Sequence, residues 1–202
     1  MRGPKLVVKR GKTPVLSSDE ARALLDSVDV STPIGLRDRA LIGVMVFSFA
    51  RISAVIQMNI EDYFRQSKRT WFRLHEKGGK RHDVPAHKLA REYVEAYIKV
   101  LGKTPKKTPL FQSFTRSGVL TGKRMHRTDA LRMIKRRAKQ VGLPPEISCH
   151  TFRATGITEF LRAGGTIENA QAIAAHESPR TTKLYDRTGD ELSLDEIERI
   201  LI

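Results

Sequence analysis

From Leu36 to Ser48 the chain carries apolar residues on most sides of a helix. Such a helix belongs at the centre of a fold, because a surface helix needs only one apolar stripe. Its neighbours can be read from periodicity. Leu24, Leu25 and Val28 form the apolar face of an earlier helix. Its start is a capping box, with Ser17 as N-cap and Glu20 as the reciprocal partner. Leu89, Tyr93, Ala96, Tyr97 and Val100 have helical spacing between Ala86 and Leu101. The period changes between these segments. Trp71 to His75 reads as a strand, Lys77-Gly78-Gly79-Lys80 as a turn, and Arg81 to Val84 as a returning strand that stops at Pro85. Gly102 to Gly122 is rich in Lys, Thr, Ser, Pro and Gly, and reads as a long loop. A basic helix at about 128–141 follows, ended by Gly142 to Pro145, and then three shorter helices near 150–163, 166–175 and 178–186. Ser178-Pro179 opens the last of these, with Pro at the first helical position. The fold class is mainly α with one small antiparallel β-sheet.

The ends have their own character. Residues 1–14 hold Arg2, Lys5, Lys9, Arg10 and Lys12, no acid, and the breakers Pro4, Gly11 and Pro14, so they read as a basic arm or interdomain linker. Residues 190–202 are acidic instead. Ser193 to Glu196 is a second capping box, opening a short helix with Leu194, Ile197, Ile200 and Leu201 on one stripe. That stripe is too short to be stable alone, so the tail is expected to pack on protein.

Charge narrows the partner. Lys and Arg number 37 against 22 Asp and Glu, a net charge of +15 over 202 residues. A surface of this kind attracts polyanions, nucleic acid above all. The single Cys149 forbids an intrachain disulfide and fits a reducing cytosol. It stands beside His150, but it lacks an independent base, so it reads as a small packing residue rather than a nucleophile. The apolar stretch from Ala40 to Ala50 is too short to span a bilayer. No zinc pattern of Cys and His is present, and no Asp/Glu cluster to hold a metal.

Two segments carry candidate chemistry. His150 and Arg153 stand three apart, so on a helix they share a face. Histidine can move a proton, and arginine can grip a phosphate through two parallel hydrogen bonds. The second segment runs from His176 to Tyr185. Gly164-Gly165 and the short helix before His176 can fold it back toward His150. A tyrosine on a helix is by default a packed aromatic. A phenol is also a usable nucleophile where donors stabilise the developing charge.

With these motifs in view, the sequence resembles the tyrosine recombinases, the phage-integrase family. Members carry an arginine box of the Gly-Leu-Arg-Ile-Ser-Glu kind, a lysine in a β-hairpin, His-x-x-Arg, and a His or Trp nine residues before a nucleophilic Tyr. Here the arginine box is Phe49-Ala50-Arg51-Ile52-Ser53-Ala54 and the hairpin is Glu76 to Pro85. The remaining motifs are His150 to Arg153 and His176 to Tyr185. The resemblance implies the family's catalytic-domain fold over residues 15–189, the DNA breaking-rejoining fold. It implies that Tyr185 attacks a DNA phosphate while Arg51 and Arg153 clamp it and His176 adds a donor. His150 would accept or orient the phenolic proton, and Lys77 would protonate the leaving 5′-oxygen, with Lys80 its rival. Bond energy is kept in a 3′-phosphotyrosine, so no ATP, metal or other cofactor is expected. Double-stranded DNA would be the partner, through Lys80, Arg81, Lys123, Arg124, Arg132, Lys135, Arg136 and Lys139. A homo-oligomer, a tetramer on paired sites, would form through the C-terminal tail. The location implied is a prokaryotic or phage-infected cytoplasm, at the nucleoid. The basic arm looks like the linker to a second, N-terminal helical domain that grips DNA in family members.

Two departures bear on geometry. Phe49-Ala50 replace the family's Gly-Leu, and Ala54 replaces the acid that supports the arginine, so Arg51 must be oriented by another residue, with Glu61 and Asp62 as candidates. Two other functions remain beside recombination: a type IB topoisomerase, which shares the chemistry, and a DNA-binding regulator with a relic site. The bacterial-type hairpin box favours recombination over the first. The intact set Arg51, Lys77, His150, Arg153, His176 and Tyr185 argues against the second.

Overall fold

The central helix of the computed structural model is α2 (Pro33–Phe47), where Ala40, Leu41, Ile42, Val44 and Met45 are all inaccessible to solvent. Residues 11–186 are described; the basic residues 1–10 and the expected tail helix at 190–202 lie outside them. Thr32 caps α2 through Gly35 N–H and Pro33 occupies its first turn. Around it pack α1 (Ser18–Asp26), α4 (Lys88–Leu101) and α6 (Cys149–Arg162). The Ser17/Glu20 capping box on α1 is formed as the sequence suggests. On α4 the buried positions are Ala90, Val94 and Tyr97, while Leu89 is 38% exposed and does not join the apolar face assigned to it.

A buried charge cluster fastens α5 (Arg127–Gln140) to α2. Asp38 has no exposed surface, and Arg137 grips its Oδ2 at 2.8 Å while Arg37 grips its Oδ1 at 2.7 Å. Such a pair is retained only when each remaining donor finds a partner. The Gln112 carbonyl takes one more from Arg37 at 3.0 Å.

The sheet has three strands where the sequence suggested two. β1 (Tyr63–Gln66) precedes β2 (Arg69–His75) and β3 (Arg81–Pro85), in antiparallel order β1-β2-β3. Phe72 and Leu74 of β2 and Val84 of β3 point into the core. Between β2 and β3 the chain turns at Gly78 and Gly79, whose φ of 78° and 76° lie in the left-handed region that glycine alone enters without strain. The segment expected as a long loop contains a second hairpin, β4 (Gln112–Phe114) with β5 (Leu120–Arg124). A short helix after Arg51, α3 (Ile52–Gln57), was also not indicated by the sequence. Among the described residues no helix is long and apolar enough to cross a membrane.

After α6, Gly164 takes a φ of 85° and turns the chain into α7 (Ile167–Ala174) and α8 (Pro179–Lys183). These pack over α6 and enclose a small second core of Phe49, Ala154, Ile157, Leu161, Ala170, Ala174 and Tyr185.

Candidate active site

Tyr185 is only 6% exposed, its ring held in that second core. The hydroxyl lies 2.8 Å from His150 Nε2, in the first turn of α6. Thr158, two turns further along α6, donates to the Tyr185 carbonyl at 2.9 Å and ties the tyrosine's backbone to the same helix. The α7–α8 turn thus delivers to α6 the residue that the sequence placed 35 positions away.

His176 follows Ala175, which ends α7 in the left-handed region at φ 48°. Its ring stacks on that of Tyr185, with centroids 5.9 Å apart and planes 8° apart. Its Nδ1 is 2.9 Å from Thr182 Oγ1, a hydroxyl with no exposed surface. Burial, then the charges of Arg153 and Arg51, push the imidazole down to about 4, so it is neutral at pH 7. A neutral ring can donate through Nε2 only if Nδ1 accepts, which requires the Thr182 hydroxyl to be the donor.

Arg153 is 1% exposed. It donates to the Phe49 carbonyl through Nη1 and to the Ala174 carbonyl at 2.7 Å through Nη2. The Tyr185 hydroxyl takes a third N–H, so of five N–H groups two are left for a ligand. Burial pushes its pKa down to about 10, well above neutrality. Phe49 explains the first departure from the family box. It stands at φ 52°, a conformation that costs a non-glycine residue about 1–2 kcal/mol. Its ring repays part of this by packing edge-on against Phe160 at 5.8 Å in the second core.

Arg51 stands at the N-cap position of α3, without a capping hydrogen bond of its side chain, and is held by Glu76, Nη1 to Oε2 at 2.6 Å. This corrects the expectation of Glu61 or Asp62. Asp62 is occupied by the Asn59 N–H at 2.8 Å and His75 Nε2 at 2.9 Å, and Glu61 is exposed. Arg51, His150 and Arg153 line one cavity of about 690 Å³ beside the Tyr185 hydroxyl, together with Ser53, His126, Arg127, Thr128 and Cys149.

The site sets its own proton levels. Burial raises the Tyr185 phenol, and Arg153 and Arg51 pull it partly back. Burial, then Arg153 and Arg51, lower His150, so the imidazole beside the phenol is neutral and able to accept a proton. Burial raises the Cys149 thiol, which suits a packing residue.

Residues 14–191 match the phage integrase family. The chain belongs to the phage integrase family. It is similar to tyrosine recombinase XerD of Corynebacterium glutamicum, 32% identical over 185 residues, covering 88% of this chain and 58% of that protein. Tyrosine recombinase XerC of Vibrio atlanticus is 30% identical over 173 residues, covering 84% of this chain and 53% of that protein. The chain therefore spans somewhat more than half the length of these relatives. The fold is shared with XerH recombinase in a post-cleavage complex with palindromic difH substrate, at TM-score 0.73 and 20% identity over 87% of this chain and 51% of that one. XerA recombinase superposes at TM-score 0.70 with 23% identity, covering 98% of this chain and 65% of that one.

In this phage integrase domain, Arg51, His150, Arg153, His176 and Tyr185 come together, while the Lys77 side chain lies outside the described parts. Lys80 and Arg81 are exposed at the hairpin tip, and Lys123 is exposed on β5. Arg124 requires correction as a DNA ligand. Its guanidinium is spent on the Ile56 and Met58 carbonyls and on Asn59 Oδ1 at 2.7 Å, where it caps the end of α3. On α5 the expected Arg132, Lys135, Arg136 and Lys139 do not line the cavity beside Tyr185. Arg132 pairs with Asp129 at 3.2 Å, Arg136 reaches Asp38 at 3.4 Å, and Lys135 donates to the Pro145 carbonyl. The residues of α5 and its N-cap that do face the cavity are His126, Arg127, Thr128 and Leu131. The signal available for them was position at a helix start, where N–H groups and a basic side chain favour phosphate.

Proposed function

We propose that this chain is the catalytic domain of a site-specific tyrosine recombinase that cuts and rejoins double-stranded DNA through Tyr185. One observation carries the reading: the Tyr185 hydroxyl lies 2.8 Å from a histidine kept neutral, and that histidine lines a cavity together with two arginines. The phenolic oxygen attacks phosphorus and its proton passes to His150 Nε2. Arg51 and Arg153, with His176 as a further donor, stabilise the charge that grows on the non-bridging oxygens. The bond to the 5′-oxygen breaks, and Lys77 supplies the proton that this leaving group needs. The product is a 3′-phosphotyrosine, and attack by a 5′-hydroxyl reverses every step, so the bond energy is conserved.

Lys80, Arg81 and Lys123, with Arg127 beside the cavity, supply phosphate contacts that position the duplex without reading its sequence. Assembly as a tetramer on paired sites, with the tail at 190–202 docking between subunits, and action in a prokaryotic cytoplasm complete the reading. The test is a nicked duplex from which the short fragment released by cleavage, bearing the free 5′-hydroxyl, diffuses away. The chain is expected to form a covalent band on a denaturing gel, and Tyr185→Phe to lose it while still shifting the DNA on a native gel. A retained covalent band in that variant sinks the assignment.

A further inference from the structure

Arg51 has no acid of its own helix to hold it. Position 54, one turn along α3, is an alanine at 1% exposure. The carboxylate that meets the guanidinium comes instead from the hairpin, 25 residues on, where Glu76 Oε2 stands 2.6 Å from Arg51 Nη1. The pair is asymmetric: the Glu76 side chain is 5% exposed and the Arg51 side chain 40%. The carboxylate therefore backs the guanidinium from inside, and Arg51 keeps its outer N–H groups for the cavity it lines. The other carboxylate oxygen, Oε1, is buried without a hydrogen-bond partner among the described residues. A buried, half-satisfied carboxylate opposes stability, so tighter folding does not account for it.

The backbone up to Glu76 is held by the hairpin. Its N–H donates to the Lys80 carbonyl at 2.8 Å, closing the hairpin tip, and His75 before it pairs with Arg81 across β2–β3. Lys77 is the next residue. One hairpin therefore carries both the carboxylate that holds Arg51 and the lysine assigned to the leaving group.

We propose that Glu76 is the positioning residue for Arg51, replacing from the hairpin the carboxylate absent at position 54. The arginine's grip on the scissile phosphate and the delivery of Lys77 then depend on one and the same docked hairpin. The inference rests on the recombinase reading above, and its test separates the two. The full chain, Glu76→Gln, Arg51→Ala and the double variant are compared by rate of covalent adduct formation on nicked duplexes with a 5′-oxygen or a 5′-thio leaving group. Glu76→Gln keeps the shape of the side chain, and its melting temperature verifies folding.

The expected slowing is roughly 10- to 100-fold, the range for a partner that orients a group touching the reacting atoms. It is expected in the maximal rate, with DNA affinity nearly unchanged and with both leaving groups. In the Arg51→Ala background, Glu76→Gln is expected to add less than about 2-fold, because its effect passes through that arginine. Full rescue by the 5′-thio group would mean that Glu76 acts through Lys77, and would overturn the proposal. So would equal slowing in both backgrounds. Absence of any adduct from the unaltered chain would remove the recombinase reading and this inference together.

Discussion

Gly156 takes no part in the chemistry, yet its replacement should cripple the site. It lies on α6, three residues past Arg153, where that helix crosses the end of α2. A Cβ there would stand 2.0 Å from the Val46 carbonyl oxygen and 2.8 Å from Phe49 Cδ1. Carbon and carbonyl oxygen approach to about 3.3 Å at best, so the helices must separate by about 1 Å. Two stability terms oppose each other. Overpacking costs about 1–3 kcal/mol, and the helix preference of Ala over Gly returns about 1 kcal/mol. A backbone carbonyl cannot swing aside as a side-chain tip does, so the upper end of the overpacking range applies and the net destabilisation is about 2 kcal/mol. The loss of function is larger, because the seam being forced open is the one that places Arg153 against the Phe49 carbonyl. A shift of about 1 Å in a reacting constellation costs about 100-fold in rate. Gly156→Ala should fold, unfold in urea at a midpoint lower by about 1 M, and form adduct on a nicked duplex about 100-fold more slowly. A variant with the parent's adduct rate would refute the argument that close packing of α2 on α6 sets the arginine.

The pH profile tests His150. Burial, then Arg153 and Arg51, lower its pKa, and a base must be unprotonated to work. The specificity constant for cleavage should rise with pH through a midpoint below the ordinary histidine value of about 6.5 and be level by pH 7. A midpoint at or above that value would contradict the environment described. Lys77→Ala should slow cleavage of ordinary DNA and be rescued by a 5′-thio leaving group, which needs no proton; rescue of Lys80→Ala alone would move the acid's role to Lys80.

What could be read in advance follows from the range of each interaction. His150 and Arg153 share a face of α6 because three residues nearly complete a helical turn, and that relation is local. The Ser17/Glu20 cap and Pro179 at the start of α8 are local in the same way. The support of Arg51 is not. Glu61 and Asp62 were its nearest acids along the chain, but Asp62 is held by His75 and Asn59, and the hairpin's curl brings Glu76 instead. The basic residues of α5 show the same limit. Arg132, Lys135, Arg136, Arg137 and Lys139 are alike in sequence, yet Arg137 is buried on Asp38 while Arg132 is exposed. Nothing in a run of cations says which of them the core will claim. β4 and β5 escaped notice because Gln112, Gly122 and Arg124 stand where an apolar residue would continue the alternation that marks a strand.

The central claim is a bond between one oxygen and one end of a DNA strand. Adduct formed on a nicked duplex, digested with protease and nuclease, and sequenced by mass spectrometry tests it most directly. The account predicts a single modified peptide carrying a nucleotide 3′-phosphate on Tyr185, and a free 5′-hydroxyl on the released fragment. A 5′-phosphotyrosine, or modification at Cys149 or any other residue, would contradict it.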